Sequence, residues 1–169
     1  VKPIMQALAA HPVQRIIIVS STRVYGENAG ERIDDESLIQ PADEQGKLLR
    51  KMELLWQMHY PQQSIIVRPT GIYGTSVARL QRMAEQTSTY PAIHLSNRIH
   101  IDDLARFLAQ LMDVENAQPS YIVTNNMPLP MHEILLWFQQ PLDLPTLRLL
   151  SVQQPGYRIY ATRLMEMDF

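Results

Sequence analysis

Two runs of β-branched residues, Ile16-Ile17-Ile18-Val19 and Ile65-Ile66-Val67, limit what this chain can fold into. A half-exposed strand alternates apolar and polar residues, and neither run does. An unbroken Ile/Val run reads as a strand covered on both faces, as inside a parallel sheet flanked by helices. Residues 15–21 and 64–68 are therefore expected to be strands. Between them, Leu48, Met52, Leu55 and Trp56 recur at helical spacing, which predicts a helix over 41–60 ended by Pro61. Residues 25–41, with Gly26, Asn28, Gly30 and several acids, read as a loop.

Downstream the pattern keeps alternating. Residues 69–74 form a turn-rich exit from the second strand. A helix is expected over 76–86 (Val77, Leu80 and Met83 facing in), a short strand over 92–95, and a helix over 102–112 on Leu104, Phe107, Leu108 and Leu111. Then follow a strand at 121–124, a helix at 131–138, a strand at 147–150 and a closing helix at 158–167. Strands alternating with helices indicate βαβ units, hence an α/β fold. Trp56 and Trp137 lie on apolar helix faces and are expected in the core. Residues 1–10 read as an amphipathic helix with Ile4, Leu8 and Met5 on one face. No start signal precedes it and no methionine opens the chain, and two buried-type strands call for more neighbours than these residues supply. The expectation is that Val1 lies inside a longer fold.

Composition narrows the function classes. A net charge of -2 provides no basic footprint for nucleic acid. No apolar run approaches the roughly 20 residues of a membrane helix, and no secretory pattern opens the chain. Cysteine is absent, which removes disulfides and thiolate metal sites and suits a reducing compartment; the cytoplasm is the expected location. His100 has no second histidine at ligand spacing, so no metal is expected and a structural role is. Asp102 and Asp103 are expected to cap the helix they open.

Three segments carry a more specific signal: Ser20-Ser21-Thr22-Arg23-Val24-Tyr25-Gly26, Val67-Arg68-Pro69-Thr70-Gly71-Ile72-Tyr73-Gly74, and Arg98-Ile99-His100-Ile101-Asp102-Asp103-Leu104-Ala105. In this order they resemble the SS-x-x-VYG, RPxxIYG and R-x-HVDDLA segments of the extended short-chain dehydrogenase/reductases, the NAD-dependent epimerase/dehydratase family. The stretch from Gly156 to Phe169 resembles that family's closing helix. The resemblance implies the C-terminal part of a Rossmann-like doubly wound parallel sheet over residues 1–75 and a small α/β substrate lobe over 76–169. It also implies NAD or NADP in the intact protein, a nucleotide-sugar-like or other small-molecule substrate, and a homo-oligomer. The family's glycine-rich phosphate loop has no counterpart here, so the chain alone is expected to bind no dinucleotide and to associate through an uncovered sheet edge.

The family's catalytic tyrosine and lysine open a Y-G-x-x-K helix. Here Gln45 and Leu49 hold those positions, in Gln45-Gly46-Lys47-Leu48-Leu49. An amide does not titrate near neutrality and a leucine has neither charge nor donor. Lys47 and Lys51 point about 200° away from position 49 on a helix. The resemblance leaves Ser21, with Thr22 as the alternative, to polarise a substrate carbonyl, although hydroxyls at strand ends also bond the backbone. It assigns Ser20, Pro69, Gly71 and Ile72 to the cofactor and Tyr25, Tyr73 and Arg98 to the substrate. Tyr25 and Tyr73 are the phenols nominated for proton transfer. The implied function is an NAD(P)-dependent epimerase, dehydratase or reductase with atypical or lost catalysis. A non-catalytic dinucleotide-binding protein, sensing cofactor or serving as a scaffold, is the alternative.

Overall fold

The computed structural model describes residues 2–26 and 30–167, so Val1, Asn28 and Phe169 lie outside the described residues. The elements that position the site start with α1 (Lys2–Ala10), β1 (Ile16–Val19), a 3-10 turn (Thr22–Tyr25), β2 (Arg32–Ile33), α2 (Glu44–His59), β3 (Ser64–Pro69) and β4 (Gly71–Tyr73). Next come α3 (Ala78–Gln86), β5 (Thr89–Ser96), β6 (Arg98–His100) and α4 (Ile101–Leu111). The chain closes with β7 (Ser120–Val123), β8 (Leu129–Pro130), α5 (Met131–Gln139), β9 (Arg148–Gly156), β10 (Arg158–Ile159) and α6 (Thr162–Met165).

The two β-branched runs pair in parallel, Ile16 opposite Ser64 through Val19 opposite Val67, and β3 pairs in parallel with β7 on its other side. Every residue of β3 is buried. Its side chains divide by the strand's period of two. Ile65 and Val67 enter the main cluster with Leu104, Phe107 and Leu111 of α4, while Ile66 joins Ile18 and Trp56 on the opposite face, against Met5, Leu8 and Met52 of α1 and α2. Both faces are therefore covered, as the unalternating runs require. A second sheet, β8-β5-β9, lies beside α3 and α5 and shares a smaller cluster of Ala84, Met131, Leu135 and Leu147. Parallel pairs β4-β6 and β2-β10 complete an α/β fold with parallel sheets. Among the described residues no helix is long and apolar enough to cross a membrane.

Asp35 ties the end of the chain to its beginning. Its Oδ1 accepts from the Ile122 amide at 2.6 Å, and its Oδ2 accepts from Thr162 Oγ1 at 3.1 Å and the Arg163 amide at 3.0 Å. The Arg163 guanidinium then donates to the Ser120 carbonyl at 2.8 Å and to Glu36 at 2.6 Å. Truncation of Asp35 to alanine leaves three donors without their acceptor. It is expected to lower unfolding stability by about 2–3 kcal/mol, read from the urea midpoint; a loss below about 0.5 kcal/mol would mean water replaces the carboxylate freely.

Several expectations need correction. Trp137 is 68% exposed: Met131, Leu135 and Gln139 form the buried face of α5, and position 137 lies about 200° from 135. Gln139 occupies that face because its amide bonds the Ala84 and Thr87 carbonyls and the Leu147 amide. Leu48 is exposed because α2 turns Gly46, Glu53 and Trp56 inward, a face set by a buried charge. Ile4 and Val77 are exposed, leaving Met5 with Leu8, and Leu80 with Met83, as the inward residues. The loop over 25–41 contains β2, and the turn-rich exit contains β4; each is a short strand paired with a distant one. The strands expected at 92–95 and 147–150 extend into β5 and β9, which pair with each other. The closing helix is instead β10 followed by the four-residue α6. Finally, His100 rather than an aspartate caps α4, its Nδ1 accepting from the Asp102 amide at 3.2 Å, while Asp102 and Asp103 fill the first turn.

Candidate functional site

A cavity of about 550 Å³ opens where β4, α3, β5, β6 and the start of α5 meet. Residues 90 and 94 are four apart on a strand and so face the same side. Their rings lie parallel, 5.5 Å apart at an interplanar angle of 1°, with Tyr90 Oη 2.7 Å from His94 Nδ1. Arg79 of α3 and Arg98 of β6 face the same space. Neither guanidinium has a carboxylate partner among the described residues. Among the described residues the Arg98 side chain donates only to the Met131 sulfur, at 3.2 Å, and its buried Nε has no hydrogen-bond partner there. Burial pulls the Arg98 pKa down, the neighbouring Arg79 cation adds to that, and Tyr73 and Tyr90 oppose it. The cavity thus holds positive charge that no described carboxylate pairs with, an arrangement that favours an anion.

A second cavity, about 340 Å³, lies at the C-terminal end of β1 and is lined by Ser21, Thr22, Arg23, Gly26, Asp43 and Tyr157, with Ala42 at its edge. Ser21 caps the 3-10 turn, its Oγ accepting from the Arg23 amide at 3.2 Å, which leaves its own proton to donate. Asp43 caps α2 through the Gly46 amide at 2.7 Å and pairs with Arg23 at 2.7 Å. That hydrogen-bonded pair holds the Asp43 carboxyl below its ordinary pKa and the Arg23 guanidinium above its own, with Tyr157 adding a smaller electrostatic contribution to Arg23. Gln45 is exposed in the first turn of α2, and Leu49 packs partly buried against the main core.

The other expected site residues separate. Tyr25 is buried, and its hydroxyl accepts from Arg68 at 3.0 Å. Burial raises its pKa, with Arg68 opposing. This phenol belongs to the core and faces neither cavity. Tyr73 is half-exposed, lines the larger cavity and meets His100 edge-on at 5.1 Å. Pro69 is buried at the end of β3, whereas Gly71 and Ile72 are exposed beyond it. A Cβ on Gly71 would sit 3.1 Å from the Asn97 carbonyl, so the missing side chain admits the β5–β6 turn. The Ser20 hydroxyl is buried with no hydrogen-bond partner among the described residues. Open α/β sheets bind ligands outside the carboxyl ends of their strands, which is where this orphaned hydroxyl and the exposed Gly71-Ile72 backbone lie. A ligand at this edge would meet the exposed Gly71-Ile72 backbone, and the described residues include no glycine-rich cradle for a pyrophosphate.

Arg79, Tyr90, His94, Met131, Arg23 and Tyr157 are not among the site residues that the sequence suggests. Tyr90 and His94 were the most accessible: strand periodicity puts them on Arg98's cavity once the strand is extended beyond 92–95. Nothing local in the sequence joins Tyr157 to Ser21.

No family model matches the sequence, and no curated protein matches it. Among solved structures, the chain is similar to a protein from Methylobacillus flagellatus assigned as an NAD-dependent epimerase/dehydratase, with 31% identity and a TM-score of 0.81 over 99% of this chain and 62% of that one. A dTDP-glucose 4,6-dehydratase from Bacillus anthracis in complex with NAD matches at 15% identity and TM-score 0.77, over 98% of this chain and 59% of that one. A UDP-N-acetylglucosamine 4-epimerase from Methanobrevibacter ruminantium in complex with UDP-N-acetylmuramic acid matches at 12% identity and TM-score 0.76, over 99% and 61%. This chain therefore spans about three fifths of the length of the structures it matches. Its structural neighbours are NAD-dependent epimerase/dehydratases and related short-chain dehydrogenase/reductases, and it has their Rossmann-like fold.

Proposed function

We propose that the intact protein is a cytoplasmic NAD(P)-dependent epimerase-, dehydratase- or reductase-like protein whose small substrate carries an anionic group of the nucleotide-sugar kind. In this reading residues 1–75 contribute to the dinucleotide-binding part and 76–169 form most of the substrate lobe. Ser20, Pro69, Gly71 and Ile72 lie toward the cofactor, with Ser21 or Thr22 at the reacting carbonyl. The observation that carries the proposal is the uncompensated Arg79–Arg98 charge in the larger cavity. Tyr73 joins Arg98 in substrate binding, and the buried Tyr25 is left to structure. For the chain taken alone, self-association through the outer edge of β1 goes with this reading, supported by the half-exposed Val19 on a strand with one neighbour among the described residues.

Calorimetry on the intact protein with a UDP-sugar tests this. Arg98→Gln removes one charge-assisted contact of about 1.5–3 kcal/mol and is expected to weaken binding roughly 10- to 100-fold. An unchanged affinity, or no heat with the unsubstituted protein, would remove the substrate assignment. The exposed Gln45 amide and the core-packed Leu49 favour one second reading, a non-catalytic dinucleotide-binding protein. It requires NAD or NADP to bind while a broad panel of sugar nucleotides and carbonyls shows no turnover.

A further inference from the structure

We infer that Tyr157 is the acid/base group at this site, taking the place that Gln45 leaves empty of a phenol; the inference rests on the dehydrogenase-type reading above. Three observations support it. Tyr157 and Ser21 line one cavity, with Tyr157 also packed partly buried against the main core. The segment bearing Tyr157 is fixed to the wall of the anion-accepting cavity. The Tyr157 carbonyl accepts from Asn97 Nδ2 at 2.9 Å, the Asn97 Oδ1 accepts from the Ile159 amide at 2.9 Å, and the Asn97 carbonyl accepts from the Gly71 amide at 3.1 Å. Gly156 has φ +65, and a Cβ there would lie 2.8 Å from the Leu95 carbonyl, so the end of β9 lies close against the end of β5, just before Arg98. The backbone of Tyr157 is thereby attached beside the wall of the anion-accepting cavity, while the residue itself lines the Ser21 cavity. Third, the charged groups lining its cavity are Arg23 and Asp43, and the Arg23 cation is electrostatically coupled to the phenol. Arg23 shares its charge with Asp43 at 2.7 Å, so the pull of the cation on a phenol at this site depends on that pairing.

The chemistry balances with one named co-reactant, an oxidised nicotinamide dinucleotide. Tyr157 Oη, as phenolate, takes the proton of a substrate hydroxyl while the C–H bond of the carbinol carbon breaks. The hydride leaves to the dinucleotide and the C=O bond forms. Ser21 Oγ donates a hydrogen bond to the same substrate oxygen. In the reverse direction the phenol returns its proton to the carbonyl oxygen as hydride arrives.

The test uses the intact protein and two independent readouts. Tyrosinate absorbance titrations of the unsubstituted protein and Tyr157→Phe isolate one phenol by difference. Asp43→Asn frees Arg23 toward Tyr157 and is expected to lower that midpoint by roughly half a pH unit, whereas Arg23→Gln is expected to raise it by a similar amount. Opposite signs from two adjacent positions distinguish electrostatic coupling from general disturbance, and a midpoint that neither substitution moves overturns the proposal. In turnover, Tyr157→Phe is expected to lose roughly 100-fold in kcat with KM and dinucleotide affinity little changed. Full activity in Tyr157→Phe overturns the assignment of Tyr157 alone. Silence of the unsubstituted protein across the substrate panel overturns the dehydrogenase-type reading and this inference with it.

Discussion

Replacing Glu53 with glutamine is expected to destabilise the protein by about 3–5 kcal/mol. Glu53 is fully buried and Arg68 almost so, at 0% and 2% exposure. Arg68 grips the carboxylate with both sides of its fork, Nε to Oε1 and Nη2 to Oε2, each at 3.0 Å. Arg50 adds a third bond to Oε2 at 3.0 Å, and Arg68 Nη1 donates to the Tyr25 hydroxyl at 3.0 Å. Burial by itself would lower the Arg68 pKa, but the Glu53 and Tyr25 contacts outweigh it and leave the guanidinium more basic than usual. A glutamine keeps the shape of the side chain but removes the negative charge, stranding a cation in the core where desolvation is no longer offset. Urea unfolding provides the measurement. A change under about 1 kcal/mol would mean that water reaches Arg68. The double variant Glu53→Gln with Arg68→Met should recover part of the loss, because removing both partners restores neutrality.

Gly26→Ala is expected to be nearly as damaging, about 3 kcal/mol or more. Gly26 has φ 75 and ψ -167, a region that side-chain-bearing residues essentially never occupy, with a strain of about 1–3 kcal/mol. A Cβ there would also lie 2.0 Å from the Gln40 carbonyl oxygen, which is backbone and cannot rotate aside. The segment around Gln40 has to move, and with it Ala42 and Asp43 at the rim of the Ser21 cavity. Thermal unfolding checks the stability, and the Tyr157 absorbance titration reports whether the cavity has shifted. A midpoint within 2 °C of the unsubstituted protein would show that the loop yields without strain.

The parallel α/β fold was legible because its signal is local and strong. Three consecutive isoleucines and a valine permit little else than a strand with cover on both sides. Helices with clear stripes, such as α4, were legible within a residue or two. The losses came where a polar residue went inside. Glu53 and Gln139 each define the buried face of a helix, and a stripe counted only on apolar residues then lies to one side. Two-residue strands such as β2 and β10 carry too little pattern to see, since each exists because the other is there. The candidate site divides the same way. Ser21, Tyr73 and Arg98 fall in recognisable segments, whereas Arg79 and Tyr90 fall in none. Tyr25 sits in such a segment as well, but its hydroxyl serves Arg68, which no spacing rule reveals. Tyr157 reaches Ser21 only through the tertiary fold.

The pairing of Arg32 with Arg158 sets an order of events during synthesis. Residues 32 and 33, and Oδ2 of Asp35 just beyond them, find their partners only after the ribosome has added well over a hundred further residues, a lag of roughly 6–25 s at ordinary elongation rates. Until then the nascent chain must hold this segment, beside the Ser21 loop, without its strand neighbour. The cavity at the end of β1 therefore stays open on one side until Tyr157 has been added.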